Sequence, residues 1–186
     1  MSDFDEVVRT RRSIAKVRDD AIDRSTILDL IELATRAPNH HLHQPWRFVV
    51  VQGEGRRTLG DAHVAAYERT HPDASVEVLA REAARFMRAP VVIVAIVAPA
   101  ADDPVTRRED RDAVAAAVEN LLLAAHARGL GAMWRTGTMA DEPELLDALG
   151  VAAPQAVVAF IYVGHPAVDP PVRPRRPVAD VTQWFE

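Results

Sequence analysis

Two uninterrupted apolar stretches constrain the fold of this chain more than any other feature. Residues 91–97 read Val-Val-Ile-Val-Ala-Ile-Val, and residues 156–163 read Ala-Val-Val-Ala-Phe-Ile-Tyr-Val. Both are rich in β-branched residues and lack the polar alternation of a half-exposed strand. We therefore expect two strands that are buried on both faces, inside a sheet that helices cover on each side.

The rest of the chain supplies those helices. The patterns predict helices over residues 2–9, 25–36, 56–67, 75–87, 110–128 and 141–149, and further strands over residues 46–52 and 132–135. Asp23 or Ser25 is expected to cap the second helix. In the last helix we expect Asp141 as the N-cap, Glu144 as its partner in a capping box and Gly150 as the stop.

The order of these elements predicts the fold class. Few strands stand among many helices, and they do not alternate regularly with single crossover helices. This favours an α+β fold with a mixed, largely antiparallel central sheet flanked by helices. No repeat or linker divides the chain, so residues 1–186 are expected to form a single domain.

Composition excludes several classes of function. Cysteine is absent, which rules out disulfides, iron–sulfur clusters and thiolate zinc sites. The net charge of −5 gives no support to a nucleic-acid partner. The acidic N-terminus lacks an export-signal pattern, and the longest apolar run, residues 90–101, is too short to cross a membrane as a helix. We expect a cytoplasmic protein without nucleic-acid or membrane partners.

Two basic clusters are candidates for anion binding. Arg9-Thr10-Arg11-Arg12-Ser13 lies near the start of the chain, and Arg173-Pro174-Arg175-Arg176-Pro177 lies near its end. Guanidinium groups match the geometry of phosphate, and a hydroxyl completes such a cradle. Taken alone, the first cluster is more often a solvated basic turn, and the second is more often a solvated, extended tail.

A polar loop joins the second predicted helix to the strand at residue 46. It contains Asn39, His40, His41 and His43 and faces either a ligand or solvent. A metal site is a weaker alternative, because adjacent histidines point in different directions and no carboxylate follows at ligand spacing. We predict no metal.

Glycines flank a short apolar stretch at residues 129–137. We expect this stretch to deliver Trp134, Arg135 and Thr136 to one place, although a plain strand with an exposed arginine is the alternative. The Gly-x-Gly lacks the third glycine and the following helix of a dinucleotide-binding fingerprint, so a Rossmann fold is rejected.

Together and in this order, the segments resemble the nitroreductase family of FMN-dependent flavoproteins, in its compact single-domain branch. The resemblance covers nearly the whole chain. The matching segments are Arg11-Arg12-Ser13, Ala37-Pro38 through Gln44-Pro45-Trp46, Gly129-Leu130-Gly131 with Trp134-Arg135-Thr136-Gly137, Ile161 through Pro166, and the Arg-Arg-Pro tail. Many family members carry a serine and an asparagine where this chain has Asn39 and Leu42, so His40 or Asn39 is expected to make the asparagine's contact with the flavin.

The resemblance implies a homodimer with two FMN sites at its interface, reduced by NADH or NADPH. Arg11, Arg12 and Ser13 should hold the phosphate, ribityl chain and ring edge, while Arg36 and His40 reach in from the other subunit. Trp134, Arg135 and Thr136 should cover the ring or its edge, and Arg175 with Arg173 should complete the phosphate contacts.

The implied reaction is reduction of nitroaromatics, quinones or similar electron-poor molecules in a ping-pong cycle. Alternatives are a flavin-binding storage or regulatory protein without turnover, or a related flavin chemistry such as dehydrogenation or reductive dehalogenation. The apolar residues Val181, Trp184 and Phe185 lie in a tail too short to form its own core, so we expect them to dock on the partner chain.

Overall fold

A four-stranded sheet lies at the centre of the computed structural model, which describes residues 3–186. Its strands are β1 (Trp46–Gln52), β2 (Val91–Val97), β3 (Gly131–Arg135) and β4 (Ala156–Gly164). They lie in the order β1-β2-β4-β3, and all three pairings are antiparallel. The two apolar runs are the central strands β2 and β4, so the predicted α+β class with a largely antiparallel sheet is confirmed.

The described residues form six α-helices around this sheet. They are α1 (Phe4–Thr10), α2 (Arg24–Ala34), α3 (Glu54–Thr70), α4 (Val76–Ala83), α5 (Pro104–Ala127) and α6 (Pro143–Leu149). None of the helices within residues 3–186 is both long and apolar enough to cross a membrane.

Each face of the sheet has its own core. Alternate side chains of β2 point to opposite faces: Ile93 packs in one core with α2 and α5, whereas Val94 packs in the other with Phe86, Leu145 and Phe160. This explains why β2 needs apolar residues at every position rather than at every second one.

Two predicted helix starts were wrong. Helix α5 begins at Pro104 rather than Asp110, because Asp103 caps it by accepting from the backbone N–H groups of Val105 and Thr106, both at 3.0 Å. Its first turns are charged and lack a helical spacing of apolar residues, so the sequence pattern did not predict them.

In α6 the capping box is absent. Asp141 closes a preceding 3₁₀ turn, and Glu142 stands at the N-cap without a side-chain hydrogen bond. Glu144 pairs instead with Arg69 of α3 at 2.7 Å. Gly150 ends the helix in the left-handed conformation, as predicted.

The other boundaries shift by smaller amounts. Helix α2 ends at Ala34, and Asp23 occupies its N-cap without a side-chain hydrogen bond. The helix predicted over residues 75–87 is α-helical only to Ala83 and continues as a 3₁₀ helix to Arg88. Ser2, the predicted start of the first helix, lies outside the described residues.

Candidate functional site

The segment that follows Arg11-Arg12-Ser13 is held across the ends of β3 and β4. The backbone N–H of Ile14 donates to the carbonyl of Ala132 at 3.0 Å. Val17 lies so close to Gly164 that a Cβ added there would stand 2.6 Å from its Cγ2. Because glycine carries no side chain, the segment can lie directly on the strand ends, and this contact fixes the position of the arginines before it.

The two basic clusters of the sequence meet at one cavity of about 380 Å³. It is lined by Arg11, Arg12, Ser13, Met133, Pro170, Pro171, Val172, Arg173 and Arg175. The fold thus brings together four arginines that the sequence separates by some 160 positions (roughly the length of a whole domain). A cavity of this size falls within the range typical of small-molecule sites, about 300–1,000 Å³.

The arginines of this cavity retain capacity for a ligand. Arg11 Nε lies 3.2 Å from Glu119 Oε1, and Arg12 pairs with Asp169 and donates to the carbonyl of Thr10 at 3.0 Å. Arg12 Nε is nevertheless buried with no hydrogen-bond partner in the described part of the chain. A buried donor without an acceptor is costly, so the site fits a group rich in acceptor oxygens such as a phosphate.

Arg36 and His40 lie away from this cavity in the same chain. Arg36 pairs with Glu32 at 2.8 Å and lines a groove of about 680 Å³ between α1, α2 and α5. His40 lines a cavity of about 460 Å³ with residues of α5 that include Glu109. Both openings follow the outer face of α5, so a single chain does not bring these two side chains to the four arginines.

The prediction that Trp134, Arg135 and Thr136 meet at one place was wrong. Successive residues of β3 face opposite sides of the sheet: Trp134 packs on the core beneath α5, while the guanidinium of Arg135 lies 5.5 Å from the ring centroid of Tyr162 on the other face. Thr136 is exposed beyond the end of the strand. Met133, not Trp134, is the β3 residue that lines the arginine cavity.

The same face carries a buried phenol. Burial raises the pKa of Tyr162 to about 12, against the opposing effect of Arg135 and two further arginines. Tyr162 is therefore neutral at every ordinary pH and serves Arg135 as an aromatic surface.

Comparison with known proteins decides which family this geometry represents. The model of the nitroreductase family matches residues 8–165, which include Arg11, Arg12, Ser13, His40 and all four strands. The chain belongs to the nitroreductase family. Arg173 and Arg175 lie beyond the matched range, and only the fold connects them with the rest of the cavity.

One relative of this chain is YfhC of Bacillus subtilis, which carries the name of an NAD(P)H nitroreductase. It is 31% identical over 176 residues, which cover 94% of this chain and 90% of the relative. The chain thus matches it over almost the full length of both proteins.

Two solved structures extend the comparison. A nitroreductase-like protein of Bacillus cereus superposes with a TM-score of 0.87 at 28% identity, covering 100% of this chain and 97% of the other. A nitroreductase of Desulfovibrio desulfuricans, solved in complex with FMN, superposes with a TM-score of 0.77 at 29% identity, covering 100% and 98%. The nitroreductase-like fold predicted from the sequence is confirmed.

Sequence reasoning missed His126, which the nitroreductase fold places beside the basic cluster. The Thr10 hydroxyl donates its one proton to the carbonyl of Glu6 at 2.6 Å. In its contact with His126 Nε2 at 2.9 Å, the imidazole N–H is therefore the donor. Burial, and then the charges of Arg12 and Arg11, lower the pKa of His126. Its place in the last turn of α5 was the one available signal, and it did not reveal the contact with α1.

Sequence reasoning also missed the acidic partners of the cavity, Glu119 and Asp169. Asp169 stands just before the two prolines that line the cavity, ahead of the basic cluster that begins at Arg173. The three loop histidines have ring centroids 4.0–6.0 Å apart. Within residues 3–186, however, no group of three or more possible ligands is arranged to hold a metal ion.

Proposed function

We propose that this protein is an FMN-dependent oxidoreductase that takes electrons from NADH or NADPH and reduces small electron-poor molecules such as nitroaromatics and quinones. The observation that carries the proposal is the convergence of Arg11, Arg12, Arg173 and Arg175 on one cavity. Membership of the nitroreductase family and the likeness to an FMN complex support it.

The arginine cavity is the place for the FMN phosphate. Asp169 is 87% exposed in its side chain, and an ion pair of this kind contributes only about 0–1 kcal/mol. Hydrogen bonds from arginine to a phosphate are worth about 1.5–3 kcal/mol each. Arg12 can therefore exchange the carboxylate for phosphate with a net gain, and its unpaired Nε acquires an acceptor.

The protein's own residues bind and orient the cofactor, and the cofactor carries out the reaction. FMN, when bound, supplies the hydride transfer that side chains cannot perform. Arg11 and Arg12 provide positive charge that favours electron transfer into the site, and Ser13 supplies a hydroxyl beside them. Donor and acceptor use the same opening in turn, which gives a ping-pong cycle. Water can supply the proton that the reduced product needs, so no side chain is required as its source.

The site is completed by a second copy of the chain. Arg36 and His40 lie outside the arginine cavity of their own chain, on the outer face of α5. Phe4 of α1, which lines the same groove as Arg36, is 70% exposed, and Trp184 and Phe185 in the tail are 80% and 99% exposed. Apolar surface of this extent is typical of an interface. The two α5 faces pack together, the tails dock across the partner, and each FMN lies between the subunits.

Two measurements test this function. The purified protein should be yellow, with flavin absorption close to one FMN per chain, and should oxidise NADH or NADPH when a quinone or nitroaromatic is added. Colourless protein that does not take up added FMN would overturn the proposal. Stoichiometric flavin with neither donor oxidised would instead support a storage or regulatory flavoprotein.

A further inference from the structure

A buried carboxylate on α5 holds the histidine-rich loop of residues 39–44. Asp110 is fully buried, with Oδ1 at 3.0 Å from His43 Nδ1, and its Oδ2 accepts from the backbone N–H of Ala100 at 2.8 Å. An ionised carboxylate only accepts hydrogen bonds, so His43 donates through Nδ1. None of the ion pairs formed within residues 3–186 brings a lysine or arginine to Asp110. His43 is thus the side chain that compensates its burial.

The loop that His43 anchors has a strained backbone. His41, Leu42 and Gln44 have φ values of 46°, 57° and 48°, in the left-handed region that non-glycine residues seldom occupy. Leu42 is also 77% exposed, so packing of its own side chain does not compensate the strain. Such a conformation persists only where surrounding contacts fix it. The contacts that fix it include the His43–Asp110 hydrogen bond, the bond from Gln44 N to Asn39 Oδ1 at 2.9 Å, and the backbone bond from His43 N to the carbonyl of His40 at 2.9 Å.

The loop presents Asn39 and His40 at the cavity beside α5. His40 Nε2 lies 3.8 Å from Glu109 Oε2, which is beyond hydrogen-bond distance; the His40 side chain is exposed and that of Glu109 is half-buried. Glu109 therefore orients His40 only weakly. The next residue of the helix, Asp110, supplies the buried contact, although neither it nor His43 lines the cavity.

We propose that Asp110 and His43 are positioning residues, which hold Asn39 and His40 in the conformation that meets the flavin. The inference rests on the proposed function, because it is the family resemblance that assigns His40 to the cofactor. The pair acts through the loop backbone and does not touch the cofactor itself.

Three variants separate this role from others. His43→Ala removes the donor to Asp110, while His43→Asn places an amide N–H near the position of Nδ1 and restores it. His41→Asn is the matched control. It changes the neighbouring histidine, it suits a positive φ, and His41 makes no hydrogen bond to α5 in the described structure.

The first readout is the FMN dissociation constant, measured by quenching of flavin fluorescence as apoprotein is added. We expect H43A to weaken binding by about tenfold, because FMN must then order a loop that has lost one hydrogen bond to a charged group. H43N and H41N should stay within about twofold of wild type, a difference below ordinary mutational scatter. Equal affinity of H43A and wild type would contradict the proposal.

The second readout is hydrogen exchange of the apoprotein, which does not depend on FMN. Amides of residues 39–44 should exchange faster in H43A than in H43N, while those of α6 stay unchanged. Faster exchange throughout H43A, with unchanged FMN affinity, would reduce the pair to a general stabilising role and overturn the proposal.

Two further outcomes are decisive. If H43N binds FMN normally but loses kcat at constant KM, His43 itself delivers a proton and the positioning role is wrong. If wild-type protein binds no FMN, the proposed function fails. Hydrogen exchange of the loop amides that is fast in H43A and slow in H43N would still support the hydrogen bond between His43 and Asp110 as the contact that holds the loop. Equal loop exchange in the two variants would refute it.

Discussion

Arg12 combines ordinary contacts with an unused donor. Its guanidinium pairs with Asp169 and with the carbonyl of Thr10, yet its Nε is buried without a partner among the described residues. A residue that served only to hold the tail would not need that buried donor, which costs stability. We therefore expect Arg12 to contribute more to ligand binding than to folding.

Substitution of Arg12 by alanine tests this expectation. Loss of charge-assisted hydrogen bonds worth about 1.5–3 kcal/mol should weaken FMN binding by roughly ten- to a hundredfold. Arg9→Ala is the control, because Arg9 is 79% exposed and its pair with Asp5 is 3.9 Å long. Fluorescence titration of both apoproteins decides the matter, and equal losses in the two variants would count against a phosphate site at Arg12.

His126 gives the free protein a pH dependence. Burial, followed by repulsion from Arg12 and Arg11, lowers the pKa of His126 from its usual 6.5. Below that value the unfolded chain binds the proton more readily than the folded one. The contribution of neutral His126 to stability is therefore complete above pH 6.5 and is lost as the pH falls toward the lowered pKa.

His126→Gln removes this titration while keeping an N–H that can donate to Thr10. Urea unfolding at pH 7.5 and at pH 5.5 (values that bracket the ordinary histidine pKa of about 6.5) should show a smaller fall in the free energy of unfolding for H126Q than for wild type. Added FMN should also reduce the decrease in the wild-type free energy of unfolding at the lower pH, because the phosphate offsets the charges of the arginines beside His126. The same fall in both proteins would show that other groups cause it.

At the scale of elements, the contact between α3 and α4 depends on one glycine. A Cβ added at Gly60 would lie 2.4 Å from the carbonyl oxygen of Ala83, a backbone atom that cannot move aside without moving α4. Gly55 stands at the start of the same helix, where a Cβ would meet only Val51 Cγ1 at 3.3 Å. The two positions therefore form a matched pair.

Gly60→Ala should destabilise the protein by about 1–3 kcal/mol, because the packed helices must separate. Gly55→Ala should be neutral or stabilising by up to about 1 kcal/mol, since alanine favours the helix and the contacted methyl can shift. Denaturant midpoints of the two variants measure the difference. A Gly60→Ala variant as stable as wild type would show that α4 packs loosely.

The sequence predicted elements well where packing alone defines them. Strands β1 and β2 occupy the predicted ranges, residues 46–52 and 91–97. Strand β2 is buried at every position, whereas β1 is mostly half-buried and was predicted from its β-branched and aromatic residues. The starts of α5 and α6 escaped prediction because caps and charged first turns carry little periodicity. The opposite orientations of Trp134 and Arg135 were implicit in strand alternation but were overlooked.

The candidate site was predictable only as separate pieces. Arg11 to Ser13 and Arg175 were proposed from composition and resemblance. Their meeting at one cavity depends on Gly131 and Gly164, which have no side chain and so let residues 14–17 pack directly against the strands. The contacts of Thr10 with His126 and of His43 with Asp110 join residues far apart in the chain. No local pattern encodes such pairs, because the sheet and α5 must form before the partners meet.

At the scale of the whole molecule, the tail offers apolar surface that the single chain does not bury. Trp184 and Phe185 are 80% and 99% exposed, whereas the polar residue before them, Gln183, has no comparable area to bury. Burial of two aromatic side chains on a partner contributes several kcal/mol at about 25 cal/mol per Å². We therefore expect the tail to contribute strongly to dimer formation.

The double variant W184A/F185A tests that contribution. Its dimer dissociation constant should rise by at least about tenfold, whereas Gln183→Ala should leave it unchanged. Light scattering after size-exclusion chromatography across a range of concentrations measures both. A wild-type protein that is monomeric throughout would refute the dimer itself.

The separation of the arginine cavity from Arg36 and His40 has a genetic consequence. If each flavin takes groups from both chains, two inactive variants with defects on opposite sides of the interface should rescue one another. Mixing Arg12→Ala protein with His40→Ala protein would yield hybrid molecules in which one of the two sites contains no altered residue. Partial recovery of reductase activity on exchange of subunits is therefore expected from this arrangement, and it would not occur if each chain built its site alone.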